Sequence, residues 1–240
     1  MTTKNVVFID SRVAGYETLI ASLLLLTGSG NDTIIQQVQY TNDEFRTGAG
    51  NDTVNAGSGN DTLDGGSGTD TLTGGSGSDV FVLTYSGQDR ITDFSVAEGD
   101  KIDLSNMLAS LVGYTTDNPF DASQGFITLD EYAGGTRILV DKDGAAGSTY
   151  TPVSVAYLVD VNPDSLSSTF NTQGFTPSIK NHQPTASNQS ITIGEDSSKV
   201  FALTDFGFAD VDTGNTLQSV TITTLETKGM QPDARHVLDQ

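Results

Sequence analysis

Aspartate recurs at Asp52, Asp61, Asp70 and Asp79, nine residues apart, and each one closes a short run of glycine, serine, asparagine or threonine. Carboxylates at a fixed spacing can work as a general acid and base, or they can share a cation. Acid chemistry needs one carboxyl held in a burial that raises its pKa. A cation site needs only hard oxygen donors, and glycine-rich turns place main-chain carbonyls beside every carboxylate. Composition points the same way. Thirty-one Asp plus Glu against 11 Lys plus Arg give a formal net charge of -20, which attracts cations and repels nucleic-acid phosphates and anionic membrane surfaces. With Cys 0, disulfides, thiolate zinc sites and a cysteine nucleophile are all excluded.

The elements that position these aspartates follow from the repeat itself. The units read "GSGNDTI" from Gly28, "GAGNDTV" from Gly48, "GSGNDTL" from Gly57, "GGSGTDTL" from Gly65 and "GGSGSDVF" from Gly74. Asp32 lies twenty residues before Asp52, which leaves room for one degenerate turn through "QVQYTNDEF". Glycine supplies the positive φ of a tight turn, and one large apolar residue per unit, at Ile34, Val54, Leu63, Leu72 and Phe81, supplies a column to bury. Each unit is a turn plus a very short strand, and stacking successive units pairs the strands and closes the column. A glycine-serine linker would explain the glycines but neither the nine-residue phase nor the column. The expected product is a two-sided parallel β-roll. Stacking then sets each aspartate beside another two units away, and a calcium ion, which takes six to eight oxygens, relieves the repulsion.

These tandem units resemble the RTX family, whose nonapeptide G-G-x-G-x-D-x-U-x binds calcium between turns. The resemblance covers residues 28 to about 82 and implies side-chain ligands at Asp32, Asp52, Asp61, Asp70 and Asp79. Turn glycines Gly30, Gly48, Gly50, Gly57, Gly59, Gly66, Gly68, Gly75 and Gly77 belong to the same implied sites. Alternate turns pair Asp52 with Asp70 and Asp61 with Asp79, and a third site would use Asp32, although the stretch from Gln36 to Arg46 departs from the repeat.

The flanks give the rest of the expected fold, which is all-β: the roll is capped by antiparallel strands, with a short N-terminal strand-helix and a truncated β-sandwich-like C-terminal segment. Residues 1–26 read as a strand, "NVVFID", and a helix from Ser11 carrying Val13, Tyr16, Leu19, Ile20 and Leu23 on one side, a possible cap. They resemble the opening of an N-terminal domain of giant bacterial surface proteins. Residues 27–82 are the roll, and 83–175 its cap. "DVFVLTYSGQDRITDFSVAEGDKIDLSNML" breaks the nine-residue phase and ends in a helix start at Asp103 or Ser105. It resembles the segment that closes β-rolls in type I secreted proteins, and on that likeness Asp89, Asp93 and Asp100 are calcium ligands; turn-capping aspartates are the equal alternative. "GFITLDEY", "TRILVDKDG" and "VSVAYLVDV" alternate as antiparallel strands and resemble a type I secretion target domain. "DKDG" at Asp141–Gly144 lacks the later glutamate of an EF-hand and reads as a turn. Residues 176–186 form a linker containing His182, and 187–240 resemble a partial cadherin-like repeat with an irregular end. There, Glu195, Asp196, Asp210 and Asp212 occupy acidic positions that the resemblance associates with calcium, Asp210 and Asp212 being ligand candidates.

Other chemistries lack their residues. The sixth position after Gly57, Gly66 and Gly75 is Thr62, Thr71 and Val80, so there is no dinucleotide loop. No H-E-x-x-H or G-x-S-x-G is present, and the two histidines, His182 and His236, lie in a linker and a ragged end. The expectation is a non-enzymatic calcium-binding and export module of a type I secreted, adhesin-like surface protein. Its partners would be calcium, the secretion machinery and neighbouring domains; it would be extracellular, without a membrane span or a cleaved N-terminal signal. The alternative is the non-catalytic RTX tail of a secreted protease, lipase or epimerase.

Overall fold

A computed structural model describes residues 6–9, 24–36, 42–115, 117–181, 185–187 and 198–210. The chain divides into two units, Met1–Gln183 and Pro184–Gln240. The helix expected from Ser11, and His182, Glu195, Asp196, Asp212 and His236, lie outside the described residues.

In the first unit the short strands are β1 (Val6–Ile9), β2 (Leu24–Leu26), β3 (Thr33–Gln36), β4 (Glu44–Arg46), β5 (Thr53–Asn55), β6 (Thr62–Asp64), β7 (Thr71–Thr73), β8 (Val80–Val82), β9 (Asp89–Ile91) and β10 (Lys101–Asp103). Strands of three or four residues are too short to be stable alone. Odd-numbered strands pair in parallel as β1-β3-β5-β7-β9 and even-numbered strands as β10-β8-β6-β4-β2, which is the two-sided solenoid. The pairing is regular where the repeats are regular: Thr53, Val54 and Asn55 face Thr71, Leu72 and Thr73, and Thr62, Leu63 and Asp64 face Val80, Phe81 and Val82.

From β3 to β10 each strand buries a large apolar residue. Ile34, Val54, Leu72 and Ile91 come from one sheet and Phe45, Leu63, Phe81 and Ile102 from the other, all at most 1% exposed. The stretch before Arg46, irregular in sequence, thus contributes a regular strand and Phe45 to this core.

The roll does not end at an open edge. After a single helical turn, α1 (Ser105–Leu108), come β11 (Ile127–Tyr132), β12 (Gly135–Val140) and β13 (Val153–Leu158), an antiparallel meander. Strand β13 then pairs in parallel with β9, setting Ala156, Tyr157 and Leu158 opposite Asp89, Arg90 and Ile91. With β14 (Ile179–Asn181) on β11, the odd-strand sheet becomes nine-stranded. Pairing satisfies the last repeat strand with backbone hydrogen bonds and covers an edge that would otherwise template aggregation. The core continues across the junction through Phe94, whose ring lies 6.1 Å from Phe81, and on to Phe120, Leu129, Ile138, Val155 and Phe170. The "DKDG" segment is a turn in which the Asp141 carboxylate accepts the Asp143 N–H.

In the second unit β15 (Thr185–Ala186) pairs antiparallel with β16 (Phe208–Ala209). A 3-10 turn at Leu203–Phe206 precedes Gly207 at φ +58, and Lys199 pairs with Asp205 at 3.1 Å. Among the described residues no helix is long and apolar enough to cross a membrane.

Candidate metal centre

Each repeat aspartate sits at the end of a turn just before its strand, so parallel pairing stacks the aspartates into two columns. In the odd-strand column the Asp52 carboxylate accepts the Asp32 N–H through Oδ1 at 2.7 Å, and the Asp70 Oδ1 accepts the Asp52 N–H at 2.7 Å. In the even-strand column the Asp61 Oδ1 accepts the Asp43 N–H at 2.8 Å, Asp79 that of Asp61 at 2.8 Å, and Asp100 that of Asp79 at 2.9 Å. Asp32, Asp52, Asp61, Asp70 and Asp79 are all at most 1% exposed.

One oxygen of each carboxylate is thus used as a structural acceptor. The other is not: Oδ2 of Asp52, Asp61, Asp70 and Asp79, and Oδ1 of Asp89, have no hydrogen-bond partner. Buried anionic oxygens without partners are costly, and they mark a place for a cation. Their surroundings are open for a reason readable at two glycines. A Cβ on Gly65 would lie 2.4 Å from Asp70 Oδ2, and one on Gly74 would lie 2.2 Å from Asp79 Oδ2, so side chains there would fill the space the carboxylate faces.

The turns themselves require glycine. Gly68 has φ +131, and a Cβ on it would fall 1.7 Å from the Gly50 carbonyl oxygen of the turn below. The other ligand-position glycines, Gly30, Gly48, Gly50, Gly57, Gly59, Gly66, Gly75 and Gly77, share positive φ between 80 and 144 degrees. Beside them runs a ladder absent from the expected ligand set, in which Asn31, Asn51, Asn42 and Asn60 accept the N–H of Asn51, Thr69, Asn60 and Ser78 respectively. These amides fix the outer wall of each turn without using the inner carboxylate oxygen.

Burial and mutual repulsion drive the carboxyls upward in pKa. Burial, with the Asp79 and Asp43 charges, pushes Asp61 up to about 7. Burial pushes Asp79 up to about 6, with Asp100, Asp93 and Glu98 adding to it. Burial and the Asp52 charge raise Asp70 to about 6, and burial and the Asp70 charge raise Asp89 to about 8. Asp52 and Asp100 are raised as well, chiefly by burial. Such carboxyls bind either protons or a cation.

The donor set fits calcium. All the donors are hard oxygens, carboxylate and carbonyl, with no sulfur or imidazole among them. Among the described residues no three acidic or imidazole side chains converge, so main-chain carbonyls of the turns would have to complete any shell.

The structure brings together Asp32, Asp52, Asp70 and Asp89 on one side and Asp61, Asp79 and Asp100 on the other. The secondary positions differ among themselves. Asp89 keeps an open oxygen, whereas Asp100 also accepts the Ser95 N–H at 2.8 Å, and Asp93 accepts the N–H of Gly74 and Gly75 at 3.0 and 2.8 Å, the geometry of turn caps. Asp210 belongs to the second unit. Sequence reasoning missed Asp43, the first described member of the even-strand column. Its signal was present: it lies nine residues before Asp52, in an Asn-Asp pair like those of the clear repeats.

Residues 42–81 match the RTX calcium-binding nonapeptide repeat, in 4 copies. The chain therefore carries RTX calcium-binding repeats on a parallel β-solenoid. No curated protein matches the chain. Among solved structures, the AlgE6R3 subunit from the Azotobacter vinelandii mannuronan C5-epimerase is similar at 23% identity and TM-score 0.40, covering 72% of this chain and 91% of that one. The AlgE6R2 subunit of the same enzyme is similar at 20% identity and TM-score 0.37, covering 75% and 96%.

Proposed function

We propose that this chain is a calcium-stapled structural module of a secreted, adhesin-like bacterial surface protein, folding when it meets extracellular calcium and exported through type I secretion. The observation that carries the reading is the set of buried, unpartnered carboxylate oxygens at Asp52, Asp61, Asp70 and Asp79. In this reading those aspartates hold calcium with carbonyls of the turn glycines Gly48, Gly50, Gly57, Gly59, Gly66, Gly68, Gly75 and Gly77. Asp32 and Gly30 extend the odd-strand column, and Asp89 closes it. Strands β1, β2, β9 and β10 extend the roll beyond the clear repeats, and the segment from β10 to residue 175 caps it and doubles as the export segment. Residues 176–186 link it to 187–240, read as a partial cadherin-like repeat in which Asp210 and Asp212 are further ligands.

The energetics suit a switch. For a site affinity of order 0.1 mM, calcium at about 1 mM stabilises the fold by roughly 1.4 kcal/mol per site, and cytosolic calcium contributes almost nothing. Two or three sites supply about 3 to 4 kcal/mol, a large part of a typical margin of about 5 to 15. Glycine-rich turns that are too flexible to fold alone then stay export-competent inside the cell.

The test is a calcium titration followed by far-UV circular dichroism, with magnesium and chelator controls and an Asp61→Ala, Asp70→Ala double variant. The expected result is β signal only with calcium, at an ion demand raised several-fold in the variant. A spectrum indifferent to calcium and chelator sinks the proposal.

A further inference from the structure

We infer that the Thr47 hydroxyl is a calcium ligand beside Asp52, a side-chain oxygen that the turns beginning at Ala56, Gly65 and Gly74 lack. The inference rests on the calcium reading of the turns and concerns a residue that reading does not use. Strand register fixes the place of Thr47. Leu26 faces Arg46 and Arg46 faces Asp64, so Thr27, Thr47 and Gly65 follow in one column as the first residues of successive turns. On the other side Asn55 faces Thr73, which gives Ala56 and Gly74 the same position. The turn from Thr47 to Asp52 carries Gly48 at φ +91 and Gly50 at φ +144, the backbone of the clear repeats.

The first residue of a turn lies against the second oxygen of the aspartate that ends it, as the 2.4 and 2.2 Å approaches of a Cβ at Gly65 and Gly74 to Asp70 and Asp79 show. At Thr47 that position holds a hydroxyl, wholly buried. Burial raises the pKa of Asp52, and the Asp32 N–H and the Thr47 hydroxyl draw it back, which places the hydroxyl beside the carboxylate. The hydroxyl has one proton for two acceptors within reach, and the next coil takes it: Thr47 Oγ1 donates to the Gly65 carbonyl at 3.0 Å. The stack repeats this rung one coil earlier, where Thr27 Oγ1 donates to the Thr47 carbonyl at 2.9 Å. Asp52 Oδ2 is left without a donor. Among the described residues no donor reaches the lone pairs of Thr47 Oγ1 either. Two buried, neighbouring oxygens with no proton between them repel, and a cation between them turns the repulsion into coordination. Calcium takes six to eight oxygens, of which only some are carboxylates.

The experiment measures calcium binding by equilibrium dialysis for the parent, Thr47→Val, Thr47→Ala and Thr47→Ser. Urea midpoints are followed by circular dichroism in calcium and in chelator at acid pH, where protonated carboxyls take the place of the ion. Valine keeps the shape without the oxygen, alanine is what the same position already carries at Ala56, and serine keeps the hydroxyl. The expected result is one site with its calcium demand raised several-fold in Thr47→Val and Thr47→Ala, and a binding curve close to the parent's in Thr47→Ser. Loss of the bond to Gly65 lowers the midpoint in either medium, so a lost ligand shows as a gap to the parent that is wider in calcium. A parent that binds no calcium defeats the calcium reading itself. A parent that binds calcium, with folded Thr47→Val and Thr47→Ala that bind it equally or more tightly, or whose gap is the same in both media, overturns the inference alone. So does a Thr47→Ser that binds as weakly as Thr47→Val. If Thr47→Val does not fold, Thr47→Ala decides by the same measures.

Discussion

Asp61 shows the residue-scale conflict most directly: one carboxylate oxygen accepts the Asp43 N–H at 2.8 Å, the other faces no donor, and like charges stand above and below. The folded chain without metal answers by holding protons, with Asp61 at about 7, Asp70 and Asp79 at about 6 and Asp89 at about 8. The sign of the pH dependence follows. An acid whose pKa is raised by folding contributes stability that is fully present below its unfolded value, near 4, and lost as pH rises through the folded value. In chelator, the chain is therefore expected to resist urea better at about pH 4.5 than at about pH 8. In saturating calcium the order reverses, because protons and the ion compete for the same oxygens. Urea midpoints followed by circular dichroism at both pH values, with and without calcium, check both halves; equal midpoints in chelator would remove the carboxylates from the account.

At the scale of the element, a turn and its three-residue strand form one half of a coil, and a strand meets its partner 18 residues away within the clear repeats. Repeats of this kind interact almost wholly with nearest neighbours, so a whole coil can be removed without changing the pairing rule. Deleting residues 53–70 would join Asp52 to Thr71, let β3 pair with β7 and β4 with β8, and leave the cap junction at β9 untouched. The shortened chain is expected to fold in calcium with the same β signal per residue and to bind about two ions fewer, one for each turn removed. Far-UV circular dichroism and a calcium count read both quantities. Loss of the folded state would mean that the coils are not interchangeable.

Across the whole molecule, the nine-stranded sheet joins the roll to the meander through β9 and β13, and both belong to the Met1–Gln183 unit. The Pro184–Gln240 unit carries none of the stacked aspartates. A chain ending at Gln183 is accordingly expected to keep the calcium-dependent transition with an unchanged midpoint, measured by the same titration. A chain ending before Phe120 would expose the edge of β9 and uncover Phe94 and Leu104, and its transition should be lost or become aggregation-prone.

Local pattern alone determined the parts of this protein that repeat. The nine-residue phase, the glycines at positive φ and the apolar positions from Ile34 to Phe81 each arise from contacts every unit makes in the same way, so one unit's residues predict the next. The partial alternation of "GFITLDEY" and "VSVAYLVDV" likewise showed in advance, because strand pleat has a period of two. What broke the phase was decided by the tertiary structure. Asp32 and Asp52 are 20 residues apart and Asp79 and Asp100 are 21 apart, yet the same N–H to carboxylate bond joins them, at 2.7 and 2.9 Å, as joins Asp52 and Asp70, 18 apart, because strand register is kept while chain spacing varies. That register recruits Asp43 and Asp89 into the columns, turns Asp93 into a cap, and lays the Gln36 amide on a carboxylate seven residues away. Stacking in space, rather than spacing along the chain, selects which oxygens are left for a cation.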